Sequence, residues 1–195
     1  MATRSESYET PDWDKRYREG FYGGKLEPHE LLVRHRGLIR PGGLVVDIAM
    51  GTGRDMLFLA EKGFRAYGFD RSDEAVKIAR GSTDGRGLDL TIVRGDADYL
   101  PFKTGIADGV IVFYFLIREM MPDLVAMLKP GGTLIYETYL LRQNTIDQPK
   151  NPAFLLDDGE LRSRLGSLDV CFYEEGIFEL DGKKRAIARF VGRKS

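Results

Sequence analysis

Cysteine is nearly absent: Cys171 is the single thiol in 195 residues. One thiol can close no internal disulfide and build no Cys-x-x-Cys zinc site, which places the expected home of the chain in a reducing cytoplasm. Its setting, Leu168-Asp-Val-Cys-Phe-Tyr, alternates as a strand does, so the thiol is expected to be buried rather than reactive. Histidine is also scarce. His29 and His35 are the whole supply, both fall on the first predicted long helix, and a histidine base is poorly placed there. No excess charge of either sign exists, since 29 Lys plus Arg meet 30 Asp plus Glu for a net charge of -1. No global field would draw such a chain to nucleic acid or an anionic membrane. The basic runs Arg34-His35-Arg36 and Lys183-Lys184-Arg185 read as solvated faces. Long hydrophobic runs are missing too: Val110 to Ile117 is the longest, against the ~20 residues of a spanning helix. Met1 to Thr10 has no apolar signal core.

What is present is a regular alternation of strand-like and helix-period segments from about residue 28 onward, the mark of a largely parallel sheet with crossover helices. A helix is predicted from Pro28 to the Pro41-Gly42-Gly43 break, then a strand at Leu44–Ile48 and a helix at Gly53–Glu61. A second strand covers Arg65–Phe69, followed by Ser72 as N-cap of a helix carrying Ala75, Val76 and Ala79. The third strand is Leu90–Arg94. The fourth, Gly109–Tyr114, is an unbroken apolar run, as expected of a strand covered on both faces. A helix with Leu124, Val125 and Leu128 leads through Lys129-Pro-Gly-Gly132 to a fifth strand at Thr133–Glu137. A short helix at Asp157–Leu165 precedes strands at Leu168–Glu174 and Arg185–Val191, which would pair as a hairpin-like edge.

The informative segment is Val45-Val46-Asp47-Ile48-Ala49-Met50-Gly51-Thr52-Gly53, where the first strand meets the first crossover helix. In an open α/β sheet, ligands bind at the carboxyl ends of the strands near the switch point. Gly51 and Gly53 would allow the backbone to approach such a ligand closely. A dinucleotide site would put its third glycine at Met56, and Asp47 would set a negative charge against a pyrophosphate. S-adenosylmethionine has no phosphate and carries an ammonium and a sulfonium, so an acid beside a glycine turn favours it. Asp70 ends the second strand, where a carboxylate can accept both ribose hydroxyls, and Asp96 follows the third, placed for an adenine amino group beside Ala97. Each acid could also serve as an ordinary turn residue. All three stand at successive strand ends.

In this pattern of Asp47, Gly51, Gly53, Asp70 and Asp96, and in Leu128-Lys-Pro-Gly-Gly-Thr-Leu-Ile-Tyr-Glu137, the sequence resembles class I S-adenosylmethionine-dependent methyltransferases. That likeness implies a doubly wound α/β fold with a seven-stranded, mostly parallel sheet in order 3-2-1-4-5-7-6, its seventh strand antiparallel. Asp12-Trp-Asp-Lys-Arg-Tyr17, Tyr136-Glu-Thr138 and Asn151-Pro-Ala-Phe-Leu-Leu156 are similar to segments of the small tellurite-resistance-like and thiopurine-methyltransferase-like branch. Ala49-Met50 stands where that branch commonly has Gly-Cys, and Ile117 where a His often occurs. The resemblance implies a single domain over residues 25–195 behind an N-terminal lid segment, residues 1–24. The residues expected to bind S-adenosyl-L-methionine are Asp47, Ala49, Gly51, Gly53, Asp70, Arg71, Asp96 and Ala97, with Tyr17 from the lid; no metal is expected.

The expected reaction is in-line methyl transfer to a small-molecule nucleophile, with the protein supplying alignment and exclusion of water. Tyr114, Arg118 and Glu137 follow the fourth and fifth strands and are the candidate catalytic residues. Arg118 and Arg142 would suit a soft or anionic acceptor, a thiol or a selenium or tellurium oxyanion, while Glu137 would serve as base for a protonated one. In the plainer alternative the two arginines pair only with Glu119 and Glu137 at the surface. No Asn/Asp-Pro-Pro-Tyr follows the fourth strand, so DNA is not an expected partner, and a monomer or homodimer is expected. A non-catalytic S-adenosylmethionine sensor and a nicotinamide oxidoreductase are the competing readings.

Overall fold

A computed structural model describes residues 11–20, 27–97, 100, 102–147 and 150–195. Seven strands form one sheet in the order β3-β2-β1-β4-β5-β7-β6. They are β1 (Leu44–Ile48), β2 (Arg65–Asp70), β3 (Leu90–Arg94), β4 (Ala107–Phe113), β5 (Leu128–Tyr139), β6 (Asp169–Leu180) and β7 (Lys183–Arg193). The first five pair in parallel, and β7 runs antiparallel to both β5 and β6, as the sequence reading expected. Helices α1 (Trp13–Arg18), α2 (Glu30–His35), α3 (Arg54–Glu61), α4 (Asp73–Thr83), α5 (Met121–Met127) and α6 (Glu160–Arg164) surround it. None among the described residues is long and apolar enough to cross a membrane.

The two faces of the sheet explain the sequence pattern. Successive residues of a strand point to opposite faces, so Val45 and Ile111 pack with Leu31, Met56, Leu59 and Ala79 of α2, α3 and α4. Val46, Val110 and Val112 pack on the other side with Leu124 of α5 and Leu161 of α6. Every residue of β4 is buried, which is why its run is apolar without alternation.

Four local expectations are corrected. Leu128 does not end α5; it opens β5, pairing with Ala107, and the fifth strand is accordingly longer than expected. The hairpin strands extend to Leu180 and from Lys183 because Asp181 (φ 51) and Gly182 (φ 68) both adopt the left-handed conformation of a two-residue turn. Helix α2 is short, with a single 3-10 turn after it at Arg36–Leu38, and His29 caps its start instead of lying within it. Cys171 is exposed on β6. That strand is the sheet edge, and a register shift between Val170 and Phe172 breaks the alternation on which burial was inferred.

One glycine holds the rim of the sheet tight. The Gly95 N–H donates to Asp70 O at 2.9 Å, directly after β3, and a Cβ there would run into the ring of buried Phe69. Gly95→Ala is therefore expected to cost about 1–3 kcal/mol through overpacking. Urea denaturation measures it; a loss below about 0.5 kcal/mol would mean that the ring has room to move.

Candidate active site

The turn after β1 is built on three left-handed residues, Ala49 (φ 56), Gly51 (φ 57) and Gly53 (φ 79). Tyr17 of α1 lies over it, so close that a Cβ on Gly51 would stand 2.9 Å from the phenol oxygen. Helix α1 is held in that position through Asp14, whose Oδ1 accepts from Ser72 Oγ at 2.6 Å and from the Glu74 N–H at 3.2 Å. Asp70 joins the two turns: its Oδ2 accepts from the Gly51 N–H and its Oδ1 from the Ser72 N–H, both at 2.9 Å. The expected boundary of the N-terminal segment at residues 24 and 25 lies outside the described residues.

Electrostatics single out Asp47. It is 3% exposed and its Oδ2 has no hydrogen-bond partner. Burial, and then the neighbouring charges of Asp55 and Asp70, push its carboxyl well above the usual range, with Arg54 opposing the shift. Asp70 is pushed up as well, by burial, against the pull of the backbone N–H donors at Ser72 and Gly51. A buried cluster of acids with one unsatisfied oxygen favours a cationic partner. Asp96 differs: it is partly exposed and lies 3.7 Å from Arg71 Nη2, and Ala97 is half-buried beside it.

At the ends of β4 and β5 the backbone N–H of Tyr114 donates to Glu137 O at 2.8 Å, and Tyr114 itself is left-handed (φ 53). A non-glycine residue held there is strained, and such strain concentrates at functional sites. The Tyr114 hydroxyl accepts from Arg185 Nη1 at 3.0 Å and donates to Glu137, so burial and the carboxylate raise its pKa. Glu137 is 2% exposed and accepts from Arg189 Nε at 2.9 Å, while Arg189 Nη1 donates to Glu174 at 2.8 Å. These three residues are register partners across β5, β7 and β6. Glu137, expected as a base, is thus already committed to a buried cation.

Arg118 also departs from expectation. Its Nε and Nη2 donate to the two oxygens of Glu160 at 2.6 and 2.9 Å, and Nη1 and Nη2 donate to the carbonyls of Ala153 and Leu155. Arg142 pairs with Asp158 at 3.0 Å. The partners are neither Glu119 nor Glu137; they come from a later segment that folds back over the loop after β4. The cation near Tyr114 is Arg185, whose side chain is 18% exposed and which the sequence reading assigned to a solvated run. Its place two and four residues along β7 from Ile187 and Arg189, hence on the Arg189 face, was the available signal. His29 was missed as well. It stacks on Phe113 with centroids 4.0 Å apart and lies 5.3 Å from the Tyr114 ring.

Residues 45–132, which span the acid–glycine turn and the sheet from β1 to the start of β5, match the family described as a methyltransferase domain. The observed strand order is that of the class I methyltransferase fold, and the family match covers less than half of the chain. A demethylmenaquinone methyltransferase of Thermus thermophilus is 35% identical over 98 residues, covering 47% of this chain and 44% of the relative. The chain therefore spans less than half the length of that curated relative. Among solved structures, TehB from Haemophilus influenzae superposes with a TM-score of 0.76 at 16% identity, over 93% of this chain and 67% of that one. A SAM-dependent methyltransferase from Methanosarcina mazei gives 0.68 at 16% identity, over 86% and 98%. At these identities the structures speak for the fold alone.

The Arg118–Glu160 pair has a measurable signature. Its hydrogen bonds hold the Glu160 carboxyl down at about 2 from an ordinary 4.5. A depressed carboxyl stabilises the fold above its unfolded pKa and loses that contribution as pH falls toward the folded one. Wild type is expected to lose about 3 kcal/mol more than Glu160→Gln between pH 6 and pH 2, read by urea denaturation. Parallel pH profiles would count against the pair as a stabilising strut.

Proposed function

We propose that this protein transfers a methyl group from S-adenosyl-L-methionine to a small-molecule acceptor, in the cytoplasm, as a monomer or homodimer. The observation that carries the reading is the buried, unpartnered Oδ2 of Asp47 beside the left-handed turn at Gly51 and Gly53. An ammonium supplies the counter-charge that this acid cluster needs, and a phosphate would add to its repulsion. Asp47 and Asp70 would hold the cofactor, with Ala49, Gly51, Gly53, Arg71, Asp96, Ala97 and Tyr17 around it. When bound, the sulfonium supplies an electrophilic methyl group.

For the acceptor, Arg118 and Arg142 are engaged elsewhere, which removes their support for a selenium or tellurium oxyanion. The cations beside the two tyrosines at the ends of β4 and β5 are Arg185, over the Tyr114 ring, and Lys150, over the Tyr139 ring. They favour a small acceptor with anionic or electron-rich character, thiolates and phenols included. The name of the curated relative adds quinone-type rings to the same panel.

Calorimetry with S-adenosylhomocysteine tests the reading. Burial and nearby carboxylates raise the Asp47 carboxyl and an ammonium beside it would lower it, so binding is expected to release protons in the range where Asp47 titrates. Heats measured over a pH series in buffers of different ionisation enthalpy should differ accordingly. Asp47→Asn should abolish that release and weaken binding about 10- to 100-fold, the cost of about 1.5–3 kcal/mol for a charge-assisted bond. Because the folded pKa is raised, stability falls as pH rises above the unfolded value. The same substitution should therefore stabilise the ligand-free protein near neutral pH. Saturable NADH binding with no response to S-adenosylhomocysteine would sink the proposal in favour of the nicotinamide reading. Binding without turnover on any acceptor would favour a sensor.

A further inference from the structure

Between the acid cluster and the Tyr114 network lies a group that neither explains. His29 is 12% exposed at its side chain and is fixed on every side. Its backbone N–H donates to Asp55 Oδ1 at 2.8 Å, and its ring Nδ1 lies 2.6 Å from Asp55 Oδ2. The ring lies flat on Phe113, at an interplanar angle of 7°, at the carboxyl end of β4. Arg54 Nη2 lies close to both ring nitrogens, 3.3 Å from Nδ1 and nearer to Nε2. A carboxylate oxygen can only accept, so Nδ1 carries the hydrogen toward Asp55 and in the neutral ring Nε2 holds the lone pair. This is the arrangement of a base held in one tautomer by a carboxylate.

The charged and titratable surroundings are few. From α3 come Asp55 and Arg54, and Arg54 Nε is also 3.8 Å from Asp55 Oδ2. From the end of β4 comes the Tyr114 phenol. From α2 itself comes Glu30, whose carboxylate is directed to Arg34 and Arg189, at 3.9 and 3.8 Å. Behind Asp55 lies Asp47, which feels its charge. Asp55 therefore stands between Asp47 and the histidine, whose ring lies against Phe113 and Tyr114 at the end of β4.

We propose that His29 is the proton acceptor of the methyl-transfer reaction, positioned by Asp55, and that the natural acceptor is a group that must lose a proton: a phenol, a thiol or an activated ring carbon. The inference rests on the methyl-transfer reading. In the step, the acceptor atom forms its bond to the methyl carbon while the carbon–sulfur bond breaks and leaves its electron pair on sulfur, which becomes a neutral thioether. The acceptor's proton passes to Nε2, and the resulting imidazolium is balanced by Asp55 until it releases the proton to water. Arg54 must turn away from Nε2 for this to occur.

Two measurements test it. In His35→Gln protein, one histidine remains, so long-range proton–nitrogen NMR of labelled histidine reads the His29 tautomer without turnover. A hydrogen on Nδ1 is expected, with Asp55→Asn shifting the population toward Nε2–H; an Nε2–H tautomer in the parent protein would overturn the proposal. Kinetics use 4-methoxyphenol, which must be deprotonated, and 4-nitrothiophenol, which is ionised at neutral pH. His29→Gln should lower kcat on the phenol by about 10²- to 10⁴-fold, remove the acid limb of its pH profile, and change the thiol rate less than threefold. Equal losses on both acceptors, or a loss confined to S-adenosylhomocysteine affinity, would assign His29 to binding and overturn its role as base. If neither compound is methylated, the tautomer alone decides. Failure to bind S-adenosylhomocysteine counts against the methyl-transfer reading, whereas an Nε2–H tautomer in a protein that binds it counts against His29 alone.

Discussion

Parallel strands joined by crossovers must all end on the same rim, and that constraint crowds negative charge at one place. Asp47 lies one residue from the end of β1, Asp70 ends β2 and Asp55 stands in the first turn of α3, and all three carboxyls are buried. No hydrogen bond relieves Asp47 Oδ2. Burial and the neighbouring charges raise the Asp47 carboxyl, so its ionised form is a cost to the fold. A cation beside Asp47 would offset that cost, which is the physical basis of the cofactor proposed above.

The other half of the rim is organised by positive charge. Arg189 lies buried between Glu137 and Glu174 on neighbouring strands, and Glu137 in turn anchors the strained Tyr114 at the mouth. Buried ion pairs are weak evidence of stability, because desolvation offsets much of their attraction. Their effect here is geometric: they fix where the Tyr114 phenol and the Arg185 guanidinium point. Arg118 acts similarly on the following loop, closing it against the start of α6 through Glu160 and two carbonyls. Four ring or guanidinium planes, those of Phe113, Tyr114, Tyr139 and Arg185, stand near one another at this end of the sheet.

Helix α1 packs over the acid half of the rim. Asp14 occupies the N–H of Glu74 and the Ser72 hydroxyl, so Tyr17 is carried across the Gly51 turn. A residue larger than glycine at position 51 would have to displace that phenol. This gives the glycine a reason in packing as well as in backbone conformation. Met50, where the resembling branch has cysteine, packs against Gly68 of β2, where no side chain competes for the space.

Residue order alone determined the sheet and the acids at its carboxyl rim. Hydrophobic periodicity depends on neighbours one to four positions apart, so the alternation of strands and helices is written locally, and the strand ends carry Asp47, Asp70 and Asp96 wherever the chain goes next. Tertiary structure decided everything that depends on pairs distant in sequence. It brought His29 to Asp55, 26 positions away, and Arg185 to Tyr114, 71 away, whereas the local reading could register His29 only as part of a helix and Arg185 only as part of a charged run. It also turned Arg118 toward Glu160 and sealed Glu137 beneath Arg189. The physical reason is range: periodicity reports which face of an element is buried, but the charge state and freedom of a side chain are set by what the fold packs against it.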